Sequence, residues 1–196
     1  MLSIIFASKN KGKILEVKNI FSNAPIEIVS LLDLNDLDDI IEDGITFEEN
    51  SIKKAFHVFN KYKTPVIADD SGLSVEQLNG GPGVYSARYS GENASDNQNN
   101  RKLIEELKHL TEPHYAKYVC SAVYYDGSKY LTSEGEMRGS ITLNPKGING
   151  FGYDPLFIPE NHSSTLAELD TNEKNKISHR AKAFNKLKTQ LSFLFT

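Results

Sequence analysis

Between Phe6 and Lys13 the chain reads Phe-Ala-Ser-Lys-Asn-Lys-Gly-Lys. Lys9, Lys11 and Lys13 bring positive charge, Ser8 and Asn10 bring hydrogen-bonding side chains, and Gly12 lets the chain turn. The stretch lies where an apolar run, Leu2 to Ala7, gives way to helical spacing of Ile14, Val17 and Phe21. A strand feeding a polar turn that opens a helix presents unpaired N–H groups at the positive end of the helix dipole. That is a cradle for a phosphate; an ordinary basic turn between strand and helix is the other reading. The P-loop pattern G-x-x-x-x-G-K-[ST] is absent.

Further on, the apolar run Pro65 to Ala68 ends in Asp69-Asp70-Ser71-Gly72. Two carboxylates, a hydroxyl and a glycine at a strand end suit the edge of an active site, although the same residue types make a plain acidic turn. Strand residues alternate in direction, so one of Asp69 and Asp70 can face a ligand while the other braces the turn. The segment from Asp33 to Asp43 carries Asp33, Asp36, Asp38, Asp39, Glu42 and Asp43. It reads as a solvated loop or short helix, and one of its carboxylates could hold a metal ion. Gly80 to Gly91 is glycine-rich, with Arg88 able to meet a phosphate or to lie solvated. Phe151 and Tyr153, with Gly152 between them, flank Asp154 closely enough to offer an aromatic platform beside a carboxylate, a pairing that suits a nucleobase. Packing of both rings in the core is the alternative. Lys174, Ser178, His179 and Arg180 open a C-terminal helix, where the His-Arg pair could donate hydrogen bonds or sit as a solvated helix end.

These groups need elements to hold them. Ile26 to Leu31 reads as a second strand. Thr46-Phe-Glu-Glu49 is a capping-box sequence opening a helix with Ile52, Ala55, Phe56 and Phe59 on one face. Asn50 and Lys54, four apart, share a helical face. Ser95-x-x-Gln98 caps a helix with Leu103, Leu107 and Leu110 inward. Tyr115 to Tyr125, the turn signal Asp126-Gly127 and Tyr130 to Gly139 read as a hairpin. The C-terminal helix places Phe184, Leu187, Leu191 and Leu194 on one face. The change from βα alternation to antiparallel strands suggests a second lobe within a single domain.

The 196 residues suffice for one substantial core, and 39% hydrophobic with 24% charged residues is a globular composition. A net charge of −4 argues against broad binding to nucleic acid, so the lysine turn suits a small anion better than a polyanion. Cys120 is the only cysteine and reads as a small buried residue. With no signal-like segment before the first strand and no apolar run of membrane-spanning length, the expectation is a cytoplasmic protein without a membrane partner.

Taken in order, Ser8-x-Asn10-x-x-Lys13, Phe47-x-Glu49-Asn50 with Lys54, Ala68-Asp-Asp-Ser-Gly72, Pro82-Gly83-x-Tyr85-Ser-Ala-Arg88, Gly150-Phe-Gly-Tyr-Asp-Pro155 and Ser178-His-Arg180 resemble the Ham1/inosine triphosphatase family. The resemblance runs from residue 2 to about residue 190. It implies an α/β fold with a mixed sheet, two lobes around a central active-site cleft, and a homodimer; the second lobe would span roughly residues 115–160 of a single domain covering 1–196. It implies a hydrolase, a nucleoside triphosphate pyrophosphatase that converts noncanonical purine nucleotides (ITP, dITP, XTP) to the monophosphate and pyrophosphate with Mg²⁺. By the same resemblance Ser8, Lys9, Asn10, Lys11, Gly12 and Lys13 hold the triphosphate, with Lys54 reaching it from its helix. Asp70 is the proton acceptor and a metal ligand, Glu42 the second metal carboxylate, and Ser71 and Arg88 contact substrate. Phe151, Gly152, Tyr153, Asp154, Lys174, Ser178, His179 and Arg180 hold the purine, and donors from His179 and Arg180 favour a 6-oxo group over an amine.

Two rivals stand beside this reading. A Maf-like pyrophosphatase for modified pyrimidine nucleotides is disfavoured by the Phe-Gly-Tyr-Asp and Ser-His-Arg motifs. A non-catalytic nucleotide-binding or regulatory protein on the same fold is disfavoured by the retention of Asp70, Lys13 and a candidate metal carboxylate.

Overall fold

The computed structural model describes residues 2–194. Strand β1 (Leu2–Phe6) leads through helix α1 (Lys11–Phe21) to β2 (Ile26–Ser30), and helix α2 (Phe47–Tyr62) leads to β3 (Val66–Val75). A short 3₁₀ turn (Gly83–Arg88) precedes α3 (Asp96–Leu107), followed by the long strands β4 (His114–Tyr125) and β5 (Tyr130–Ile141). The chain ends with β6 (Phe157–Pro159), α4 (Thr171–Ile177) and α5 (His179–Gln190). The strands form one mixed sheet in the order β2-β1-β3-β4-β5-β6. β1 runs parallel to β2 and β3, as strands joined through helices must, whereas β5 and β6 are antiparallel. The fold is therefore a mixed α/β sheet with helices.

Two compact units emerge. The first takes the chain up to Asp70, Cys120–Gly135 and the chain from His179 on; the second takes Ser71–Val119 and Glu136–Ser178. Strands β3, β4 and β5 change unit partway along their length. In the first unit α1 and α5 pack over β1, with Phe184 meeting Phe6 and Phe21 edge-on at centroid distances of 5.8 and 6.2 Å. Another cluster there sets Ala55 and Val58 of α2 against Val66 and Ala68 of β3. The second unit has its own core of Leu73, Val75, Leu103, Leu107, Met137 and Phe157 among others.

Four sequence expectations change. Asp69-Asp70-Ser71-Gly72 is not a turn at a strand end: β3 continues to Val75, because Leu73 and Val75 have a core to enter. Helix α2 buries Ala55 of the expected face and packs Ile52 and Phe59 half-buried against the same cluster, but its fully buried side is a different one. Its buried residues are Asn50, Ser51, Lys54, Ala55 and Val58, because polar partners stand on that side. Lys174 does not belong to the C-terminal helix but to the short α4 before it, and Leu110 lies exposed beyond the end of α3.

The acidic segment 33–43 is irregular rather than helical, and lysines from both sides hold it down. Lys18 pairs with Asp33 at 2.7 Å, Lys61 with Asp36 and Asp38 at 2.9 and 2.7 Å, Lys9 with Asp39 at 2.8 Å, and Lys53 with Asp43 at 2.5 Å. Hydrogen bonds from Lys61 and then Tyr62 hold the Asp36 carboxyl down to about 2. A group whose folded pKa lies below its unfolded value stabilises the fold above that unfolded value, and the contribution disappears as pH falls through the folded one. Asp36→Asn should therefore lower the urea midpoint at neutral pH. The gap to the parent should close as pH drops from about 4 to about 2. A gap that persists at the acid end would contradict this anchoring.

Candidate active site

In the lysine turn, Asn10 caps α1: its Oδ1 accepts from the Lys13 N–H at 3.0 Å, and Ser8 Oγ accepts from the Asn10 N–H at 3.2 Å. These side chains shape the turn that presents the helix start. Lys9 reaches away to the acidic segment, donating to the Leu37 and Asp38 carbonyls at 3.1 Å as well as to Asp39. Lys11 is exposed and Gly12 half-buried in the first turn. Lys13 points at the carboxylates of β3, its Nζ 3.1 Å from Asp69 Oδ2.

Strand alternation separates the two aspartates. Ile67 packs in the cluster under α1 and α5, whereas Val66 and Ala68 pack against α2, so Asp69 and Asp70 take opposite faces. Asp69 is the buried brace. Its Oδ2 is met by Lys13, by Arg180 Nε at 3.2 Å and by the Cys120 thiol at 3.8 Å; Arg180 Nη1 goes on to Glu16 Oε2 at 2.6 Å. Burial would raise the Asp69 pKa, but the charges of Lys13, Arg180 and Lys54 outweigh it and hold the group ionised. Burial, and then the charge of Asp69, push the Cys120 thiol far up, which makes it inert.

Asp70 faces α2. The Asn50 amide donates to its Oδ2 at 2.9 Å, and Lys54 Nζ stands 3.8 Å from its Oδ1 and 3.1 Å from Glu42 Oε2. Burial alone would lower the Lys54 pKa, but Asp70, Glu42 and Asp69 together raise it, so Lys54 stays an ammonium. Lys54 thus gathers Asp70 and Glu42 about one point. His179 and Arg180, at the start of α5, are buried rather than a solvated helix end, because Asp69 and Glu16 give the guanidinium partners inside the unit.

The second unit holds the other cluster. Asp154 Oδ2 accepts from Lys174 Nζ at 2.6 Å and from the Phe151 N–H at 2.9 Å, and Lys174 Nζ lies 4.5 Å from the Phe151 ring centroid. Phe151, Asp154 and Lys174 are therefore one assembly, made tight by Gly150, whose φ of +78° admits no ordinary side chain and whose Cβ would collide with the Asp154 carboxylate. The first turn of α3 grips the Gly152 peptide from both ends: the N–H donates to Asp96 Oδ2 at 2.6 Å and the carbonyl accepts from Asn100 Nδ2 at 3.1 Å. Tyr153 is not part of a flat platform; its ring is core and its hydroxyl donates to the Ser86 carbonyl at 2.8 Å. Ser178 is buried at the end of α4. Ser71 is half-buried on β3, and Arg88 stacks over Tyr85 at 5.3 Å with Glu92 3.9 Å away.

Sequence reasoning missed Glu16, Asp96 and Asn100 as members of these clusters and gave Asn50 only a helical face shared with Lys54. Glu16 carried one available signal: it lies between Ile14 and Val17 on the helix side that turns inward, where an unpaired carboxylate would be costly.

A sequence model of the Ham1 family matches residues 4–190. The chain is 46% identical over 195 residues to a dITP/XTP pyrophosphatase of Geobacter sulfurreducens, covering 98% of each, and 46% identical over 189 residues to one of Bacillus subtilis, covering 95% of this chain and 96% of that one. Among solved structures, a HAM1 protein from Coxiella burnetii superposes with a TM-score of 0.89 at 39% identity, over 98% of this chain and 99% of that one.

Proposed function

The chain belongs to the Ham1 family, and on that premise we propose that it hydrolyses noncanonical purine nucleoside triphosphates (ITP, dITP and XTP) to the monophosphate and pyrophosphate, clearing them from the nucleotide pool. The observation that carries the reading is Asp70, an acid on β3 gathered with Glu42 about the buried ammonium of Lys54. Lys13, Lys54 and the start of α1, with Ser8, Lys9, Asn10, Lys11 and Gly12 forming its turn, take the triphosphate; Ser71 and Arg88 contribute further substrate contacts. The purine stacks at Phe151, beside Gly152, Asp154, Lys174 and Ser178, with Tyr153 bracing that segment from the core and His179 and Arg180 donating to the 6-oxo group. A wrong base would leave buried polar groups unpaired, which is costly.

Asp70 orients a water and takes its proton. The water oxygen bonds to the α-phosphorus as the bond from that phosphorus to the bridging oxygen breaks, and pyrophosphate departs with the electron pair. Lysine ammonium groups meet the charge that grows on the leaving group.

The residues fit a divalent cation. In the cluster of the first unit, Lys13, Lys54 and Arg180 face Glu16, Glu42, Asp69 and Asp70, so these groups alone carry no excess positive charge for a triphosphate. Among the described residues no three His, Cys, Asp or Glu side chains gather as a metal cage. Mg²⁺ does not need one, since it binds through one or two carboxylates together with water and phosphate oxygens. Asp70 and Glu42 are the carboxylates that would hold Mg²⁺, which when bound would offset charge on the phosphates. We place the protein in the cytoplasm as a homodimer, acting on free nucleotides rather than on nucleic acid or membrane. Among the described residues no helix is long and apolar enough to cross a membrane.

Product analysis tests the reading. With Mg²⁺, ITP, dITP and XTP should each give monophosphate and pyrophosphate, with ATP and GTP slower by at least about 100-fold in kcat/KM. Diphosphate and orthophosphate would move the cleavage point. Binding of all five without turnover would favour a regulatory protein.

A further inference from the structure

Asn50 is almost wholly buried, at 1% exposure, in the first turns of α2, and both ends of its amide are engaged. Its Oδ1 accepts from the Gly44 N–H at 2.7 Å, and its Nδ2 donates to Asp70 Oδ2 at 2.9 Å. A backbone N–H can only donate, so the Gly44 contact fixes which end of the amide is oxygen and leaves the NH₂ facing Asp70. Gly44 is itself a point of close approach: a Cβ there would lie 2.6 Å from Asn50 Oδ1 and 2.9 Å from Glu49 Cβ. Glu42 stands two residues before Gly44, and Lys54, one helical turn after Asn50, contacts both Glu42 and Asp70. One amide therefore ties the backbone of the Glu42 segment to the side chain of Asp70.

We propose that Asn50 is a positioning residue for hydrolysis: it sets the rotation of the Asp70 carboxylate and holds the Glu42 segment in register with it. The inference rests on the pyrophosphatase reading and adds to it a residue that touches neither water nor substrate. The Asn50 hydrogen bond engages Oδ2, which fixes the carboxylate plane and so the direction in which Oδ1 points. Without the donor, Oδ2 loses its amide partner while the Lys54 ammonium stays 3.8 Å from Oδ1, so the carboxylate is aimed less firmly. The expected cost falls on the step that needs Asp70 aimed rather than on substrate affinity.

The test pairs two variants with steady-state kinetics on ITP and with calorimetric binding of a non-hydrolysable ITP analogue. Asn50→Asp keeps shape but sets an acceptor against Asp70 Oδ2; kcat should fall by about 100-fold while KM and analogue affinity stay within about threefold. Gly44→Ala keeps every polar group and pushes the amide aside; kcat should fall by about tenfold, again with affinity retained. A packing role would move stability and leave the split between kcat and KM untouched. If the parent protein turns over ITP and Asn50→Asp keeps its kcat, the positioning role is overturned. Should Asn50→Asp fail to fold, an unchanged kcat in Gly44→Ala overturns it equally. A parent protein without turnover sinks the pyrophosphatase reading instead.

Discussion

Asp70→Asn is expected to lower kcat on ITP by about 1,000-fold while leaving nucleotide affinity within a few-fold, the range expected when a general base is removed. Asparagine matches aspartate in shape, so the packing of β3 against α2 is kept, and Glu42 remains within 3.1 Å of Lys54 to partner the buried ammonium. What is lost is an anionic oxygen that can take a proton. The assay is single-turnover hydrolysis beside binding of a non-hydrolysable analogue. A loss below about tenfold would assign the proton to another group, and a loss of affinity as large as that of rate would make Asp70 a binding residue.

Asp69→Asn should act on the fold instead. Asp69 is 1% exposed and stands between Lys13 and Arg180, so a neutral amide removes the carboxylate that Lys13 meets and leaves Arg180 with one anionic partner fewer, Glu16 remaining. Breaking a buried pair by removing one partner costs about 3–5 kcal/mol, which in a domain of this size lowers Tm by about 6–20 °C. The sign with pH follows from the depressed pKa of Asp69: the stabilisation is present above the unfolded value and wanes in acid, so parent and variant should converge there. Urea denaturation at neutral and acid pH measures both. A change below about 1 kcal/mol at neutral pH would mean that Glu16 alone satisfies Arg180.

These adjacent aspartates show how far the chain could be read beforehand. Alternation along a strand required that they face opposite ways, and they do, one braced by α1 and α5 and the other set against α2. Their setting was misjudged because Asp-Asp-Ser-Gly has the composition of a turn, while burial of Leu73 and Val75 keeps the chain extended. Local signals gave the caps at Thr46 and Ser95 correctly, since a cap is decided within three residues, whereas the cap at Asn10 was not read. Phe151, Asp154 and Lys174 were grouped through family resemblance, and the structure brings them together. Tyr153 shares their motif but packs in the core, a distinction that spacing cannot draw. Glu16, 164 residues from its partner Arg180, was out of reach because each looks like a surface charge until the other is beside it. Lys54 was singled out through the resemblance, but its burial was not legible, because its partners Glu42 and Asp70 lie on two other segments.

The central claim, attack of an Asp70-directed water at the α-phosphorus, is tested most directly by hydrolysing ITP in ¹⁸O-water and weighing both products. The account predicts one labelled oxygen in the inosine monophosphate and none in the pyrophosphate. Label in the pyrophosphate would place the attack at the β-phosphorus and contradict it.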